Sequence, residues 1–214
     1  MAAEECAVHH QKEKNEKRYQ TIYCFIIGIF FTAGLIVFIT WLVLNPKNPR
    51  FMIQDATFYN FSVTSSPDLF TCVFQVTIIS YNPNDRLGIY YENLKASAHY
   101  RDQIISLPTS IPPTYQGHHD SNIWSPFIEG ISTPISPYNV YALNQDQASG
   151  AIPMTIKING DLMWKALSRK FSNKGLHVTC RALIPYGTEI RDSLAAGTRT
   201  SIKYPLSVNC RVDV

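Results

Sequence analysis

The densest run of groups able to hold a metal or move a proton is His118-His119-Asp120. Neighbouring residues on an extended chain point to opposite sides, so three in a row do not converge on one ion. The run reads as an exposed polar loop. There is no G-x-S-x-G elbow, no H-E-x-x-H helix signature, no C-x-x-C pair and no glycine-rich phosphate loop. Ser, His and Asp all occur, but no spacing singles out a nucleophile with its base. The expectation is a non-enzymatic protein with no cofactor and no metal. Asn159-Gly160-Asp161 has the form of an adhesive tripeptide, yet Asn-Gly between apolar runs is first a hairpin-turn signal. No basic run interleaves with stacking aromatics, so nucleic acid is not an expected partner.

Two residue types carry chemistry of other kinds. Asn60-Phe61-Ser62 is the one N-glycosylation sequon, meaningful only if the segment faces the secretory lumen or the outside. Cys72, Cys180 and Cys210 lie beyond the apolar N-terminal stretch. In an oxidising compartment a Cys180–Cys210 disulfide forms if the last two strands are antiparallel neighbours; otherwise these are buried free thiols. Cys72 is the leftover, set in an apolar strand. Cys6 and Cys24 could carry palmitate, although Cys24 is more simply a small apolar helix residue.

The elements that must position these groups begin with an anchor. Residues 22–44 contain no charge. As a helix this span reaches about 35 Å, enough to cross a hydrocarbon core. Lys12, Lys14, Lys17 and Arg18 precede it, against Lys47 and Arg50 after it. That asymmetry puts the N-terminus in the cytosol and the remainder outside it. The run is too long for a signal-peptide h-region and no small-x-small site follows it. The organisation is a cytosolic tail (1–21), a transmembrane helix (22–44), a Pro-rich stalk (45–50) and one domain (51–214).

In that domain strand-like runs recur at 51–63, 70–81, 89–100, 103–107, 121–131 (broken at Pro126), 152–158, 162–167, 176–183 and 200–213. Asn82-Pro83-Asn84-Asp85 is a turn, 108–116 a Pro-rich connection, and Asn159-Gly160 a hairpin turn. One helix is marked by Ser136 as N-cap, Pro137 at its first position and Gly150 past its end, with Tyr138, Tyr141 and Leu143 as its apolar face. Eight or nine strands without βαβ alternation make a mainly β, antiparallel β-sandwich with one short helix. Net charge is +3. Residues 157–214 hold ten basic and four acidic residues. That surplus could meet phosphate headgroups or acidic polysaccharide. The simpler reading is a solvated face, because only Arg169, Lys170 and Lys174 cluster.

Several motifs, in order, match one family. They are Pro49-Arg50-Phe51, Gln54-Asp55-Ala56-Thr57, Asn82-Pro83-Asn84 and the run from Gly88 to Leu94. Pro112-Pro113-Thr114-Tyr115-Gln116-Gly117-His118 follows, with Thr114 where the family usually has Phe. Leu143-Asn144-Gln145-Asp146, Gly150, Trp164-Lys165 and the closing Cys210 to Val214 complete the set. Over residues 19–214 the chain resembles the plant harpin-induced-like family, relatives of the non-race-specific disease resistance protein, with a late-embryogenesis-abundant group 2 domain. The resemblance implies a fibronectin-type-III-like sandwich and a plasma-membrane protein whose domain faces the wall. It also implies a role in pathogen or stress response, and it brings no catalytic residues. The expected partner is a protein or the cell wall, met by loops 82–86 and 108–119 through Asn82, Asn84, Asp85, Pro113, Tyr115, Gln116 and His118. The alternative is lipid handling through an apolar groove beside the membrane.

Overall fold

The computed structural model describes residues 2–43, 46–65, 68–166, 169–185 and 202–214. The chain forms two compact units, residues 1–45 and 46–214. The first is one helix, α1 (Ala2–Val43). Its segment Arg18–Ile39 is long and apolar enough to cross a membrane, with mean hydropathy 2.7. Thr32 is tolerated within it because its hydroxyl donates back to the carbonyls of Gly28 (3.0 Å) and Ile29 (2.9 Å). Leu44 and Asn45, with which the expected anchor ends and the expected stalk begins, lie outside the described residues.

The second unit starts with β1 (Arg50–Ser65), β2 (Asp68–Tyr81), β3 (Gly88–Tyr100), β4 (Gln103–Ile104), β5 (Thr109–Ser110) and β6 (Thr114–Gln116). It continues with β7 (Ser121–Trp124), β8 (Phe127–Pro134), helix α2 (Pro137–Ser149), β9 (Ala151–Ala166), β10 (Arg169–Pro185), β11 (Ile202–Asn209) and β12 (Arg211–Asp213). One sheet runs β11-β1-β2, with β7 and β8 sharing the far side of β2. The other runs β12-β10-β9-β3, with β4, β5 and β6 sharing the far side of β3. Every pairing is antiparallel. The expected mainly β antiparallel sandwich is the observed fold.

Period-two alternation builds the core. Along β2, Phe70, Cys72, Phe74, Val76, Ile78 and Ser80 point inward and are buried, while the residues between them are half-buried. Phe51 of the first sheet meets Tyr91 of the second edge-on, with ring centroids 5.9 Å apart, and Tyr91 meets Trp124 at 5.5 Å. Trp164, Ile156 and Ile158 fill the second sheet's inner face. Gly130 lies where β8 bulges against β2, and a Cβ there would overlap the Ile105 carbonyl. Only glycine admits that close approach.

Four expectations need correction. There are twelve strands among the described residues rather than eight or nine, because interruptions divide the edge strands. Residues 103–107 keep only Gln103–Ile104 as strand, and the 108–116 connection contains the short strands β5 and β6. Asn159-Gly160 is not a turn: β9 runs straight through it, flanked by β3 and β10. Its glycine answers the bulge in β3, where Asn93 takes φ 54° and a Cβ at Gly160 would come within 2.9 Å of Leu94 Cα. The buried face of α2 is Asn139, Ala142 and Leu143, whereas Tyr138 and Tyr141 are exposed. The spacing of three and four residues selects one side of the helix, and 138 and 141 fall off it. Asp146, one turn further along that side, accepts the Tyr100 hydroxyl at 2.6 Å, and Asn139 donates to Gln103 Oε1 at 2.8 Å. The caps form at the expected residues: Ser136 Oγ accepts from Asn139 N, and Gly150 takes φ 83°. Leu167 and Thr200, expected strand ends, lie outside the described residues.

His99 on β3 is 7% exposed, and among the described residues its Nδ1 has no hydrogen-bond partner. Burial first, and the Lys157 charge second, hold its pKa below the ordinary 6.5. The unfolded chain therefore takes up a proton before the folded one. Stability is indifferent to this group above 6.5 and falls as pH drops from 6.5 towards the lowered value. We expect denaturation midpoints measured from pH 7.5 to 5 to decline more steeply for wild type than for His99→Gln. Parallel declines would show that His99 does not govern this window.

Candidate functional site

The structure brings the two expected loops together at one end of the domain, but it divides their residues into two roles. Asn82 and Gln116 are fully buried and Asn84 is 3% exposed. Asn82 Nδ2 donates to Leu87 O (2.7 Å) and Gly117 O (2.8 Å), while its Oδ1 accepts from Asn84 N (3.0 Å) and Asn84 Nδ2 (2.8 Å). Gln116 Nε2 donates to Ser80 O (2.9 Å) and Asp120 O (2.8 Å), and its Oε1 accepts from Tyr91 OH (2.7 Å) and Ser80 Oγ (3.2 Å). Both amides thus use their full capacity of four bonds. Burial raises the Tyr91 hydroxyl well above its ordinary value, keeping it a donor. Asn84 grips the Lys47 backbone on both sides, donating to its O and accepting from its N, each at 2.7 Å. That pair ties the start of the unit to the loop. These three residues were expected to face a partner; their burial makes them the frame of the surface instead.

The exposed residues on this frame are Asp85, Pro113, Tyr115 and His118. His119, which takes φ 52°, links the loops: Nε2 lies 2.7 Å from Asp85 Oδ1 and Nδ1 3.1 Å from the Tyr81 hydroxyl. That bond to His119, then the charge of Lys47, lower the Asp85 pKa. Among the described residues no group of three His, Cys, Asp or Glu is placed to hold a metal ion.

Asn60 is exposed on β1 beside a bulge and next to Tyr59. Cys180 and Cys210 form a disulfide with Cα atoms 4.3 Å apart. Cys210 sits where the chain leaves β11 of the first sheet for β12 of the second, so the bridge pins that crossing to β10. Cys72 is a free thiol in the core, pushed by burial to about 12 and therefore unreactive. Asn159-Gly160-Asp161 lies mid-strand, with Asp161 accepting from Asn93 Nδ2 at 2.8 Å. A tripeptide held in a sheet does not present itself as an adhesive loop tip.

Sequence reasoning missed one group. Tyr115 of β6 and Tyr90 of β3 pack with ring centroids 4.7 Å apart. Lys165 Nζ lies 5.1 Å from the Tyr115 ring centroid and Lys170 Nζ 4.2 Å from that of Tyr90. The signal was strand pairing between distant segments, which spacing along one chain does not display.

A family model described as late embryogenesis abundant protein matches residues 77–182. The chain is similar to NDR1/HIN1-like protein 1 of Arabidopsis thaliana at 40% identity, over 98% of this chain and 99% of that one. It is similar to NDR1/HIN1-like protein 12 of the same plant at 43% identity, over 88% and 89% of the two chains. NDR1/HIN1-like protein 26 is 32% identical, over 88% of each.

Proposed function

Because the chain belongs to the NDR1/HIN1-like family and carries its late embryogenesis abundant domain, we propose that it is a membrane-anchored, non-enzymatic protein of plant defence and stress response. It holds its sandwich domain outside the plasma membrane for a protein or cell-wall partner. The observation that carries this reading is end-to-end similarity to family members in a chain with a helix long and apolar enough to cross a membrane, followed in sequence by a β domain. The Cys180–Cys210 bridge supports an oxidising compartment. The excess of basic residues before the helix supports a cytosolic N-terminus. Asp85, Pro113, Tyr115 and His118 are the exposed members of the loop surface offered to the partner. The alternative, a lipid-carrying role, would need an apolar groove, and between the sheets Phe74, Ile78, Tyr91 and Ile156 are fully buried.

Topology is the test. Protein isolated from plant membranes is expected to shift on endoglycosidase treatment, and Asn60→Gln is expected to abolish the shift. Protease added to sealed, right-side-out vesicles should digest the domain of both forms. A domain protected from that protease sits on the cytosolic side, and the proposed function fails.

A further inference from the structure

Five of the ten basic residues of the C-terminal third, scattered in sequence, are brought with Lys95 onto one surface by the pairing of β3, β9, β10 and β12. Alternate residues of a strand share a face. The outward strand positions of the second sheet carry Lys95, Lys157, Lys165, Lys170, Arg181 and Arg211. The carboxylates on the same face are Glu92, Asp161 and Asp213. Six cations less three anions leave +3 on this face. Glu92 pairs with Lys170 at 3.1 Å and Asp213 with Arg211 at 3.2 Å. Among the described residues, no carboxylate lies within ion-pair distance of Lys95, Lys157, Lys165 or Arg181. On the opposite sheet Lys203 pairs with Asp55 at 3.1 Å and Glu129 is exposed. Outward residues of β2 in the first sheet are Thr71, Val73, Gln75, Thr77, Ile79 and Tyr81, none of them charged.

Register sets the layout. Lys165 and Lys170 are directly paired at one end, beside Tyr90 and Tyr115. Lys157 stands eight residues back along β9, about 26 Å away at strand rise. Its partner on β10 is Thr179, which in turn pairs with Arg211. There Thr179, Arg181, Asn209, Arg211 and Asp213 line an open depression of about 380 Å³. At the tyrosine end the ring of Tyr115 lies over Gly88, where a Cβ would come within 2.7 Å of a ring carbon. The missing side chain lets the ring lie close against the sheet. The surface is thus an aromatic platform with ammonium groups over it at one end and a second group of cations further along the strand axis, with Glu92 and Asp161 paired in register between them.

We infer that this face binds a chain of uronic acid residues, an acidic polysaccharide lying along β9 and β10. The inference rests on the proposed placement of the domain outside the plasma membrane. Aromatic rings meet the C–H faces of pyranose rings. Lysine and arginine meet carboxylates repeated along the polymer. A linear array suits a linear polyanion better than a bilayer. Among the described residues this end presents tyrosine hydroxyls and ammonium groups, and Leu183, exposed on the same face, stands at the other end near Arg181.

The test uses the full chain in nanodiscs of zwitterionic lipid, immobilised for interferometry. Polygalacturonate is expected to bind with an affinity that falls as salt rises, and a neutral galactan is expected not to bind. The triple variant Lys157→Gln, Lys165→Gln, Lys170→Gln should weaken polygalacturonate binding at least tenfold. Tyr115→Ser should weaken it several-fold without changing the salt dependence. Both variants should melt within a few degrees of wild type, since these side chains lie on the surface. Absence of polygalacturonate binding, or unchanged binding by the triple variant, overturns the inference. So does preferential capture of phosphatidylserine vesicles, which would make the face a membrane contact. The assay reads the surface whatever the orientation in the cell, whereas the vesicle-protease experiment reads orientation whatever the surface binds.

Discussion

Asn82→Ala is expected to lower the stability of the β domain by about 4 kcal/mol. The side chain is fully buried and makes four bonds. Alanine leaves Leu87 O, Gly117 O and Asn84 N without their side-chain partner in a place water does not reach. Each such group costs roughly 1–3 kcal/mol. Asn82→Asp should be at least as damaging, although it is nearly isosteric. It would turn an oxygen towards two carbonyls that now receive N–H donors, and would bury a charge. Asp85→Asn, three residues away and exposed, should leave the midpoint in place because its pairs with His119 and Lys47 are solvated. Urea denaturation of the three variants in detergent decides the matter. If Asn82→Ala falls no further than Asp85→Asn, the amide frame does not hold the loops.

This comparison also marks where sequence reading stops. Asn, Gln and Asp in Pro-rich loops are normally solvent-facing, so a partner surface was the natural reading of Asn82, Asn84 and Gln116. What buries them lies far off in the chain: Gly117 is 35 residues from Asn82, and Lys47 is 37 from Asn84. By contrast, the features of α2 that were legible are local. Ser136, Pro137 and Gly150 each act within a turn of the helix end. Its buried face was misassigned because Tyr138 and Tyr141 are the larger apolar residues, while Asn139 and Asp146 anchor the helix through polar bonds to Gln103 and Tyr100.

Asn159-Gly160 shows the same division. As a dipeptide it has the residues of a tight turn. In the sheet its glycine is required by the bulge of β3 at residues 92–95, a constraint imposed from across the strand pair. The sandwich itself was readable because strand alternation is a property of each segment alone. The basic face was not, since Lys95, Lys165 and Arg181 come onto one face of the second sheet only through register. The electrostatic surface of a β domain is therefore a tertiary property even when each strand is secondary and plain.

Replacing both Cys180 and Cys210 by alanine is expected to cost about 3–4 kcal/mol. The bridge closes a sequence separation of 30 residues. In the chain-entropy account, a loop of that length raises the free energy of the unfolded state by about that amount. For a chain of this size the melting temperature should fall by about 10 °C. Topology sharpens the expectation. β12 pairs with β10 through only His177–Asp213, Val178–Val212 and Thr179–Arg211. The preceding strand belongs to the other sheet, and Cys210 N donates to Phe51 O at 2.9 Å at the crossing. Without the bridge, those three residue pairs and the packing of Val212 and Val214 against the core keep the C-terminus on the second sheet, and hydrogen exchange there should accelerate before the global midpoint is reached. Wild type treated with reductant should melt where the double variant melts. If reductant leaves the wild-type protein from plant membranes unmoved and its thiols label without prior reduction, the bridge is not formed in the cell. The domain would then fold in a reducing compartment, and the placement outside the plasma membrane would fall with it.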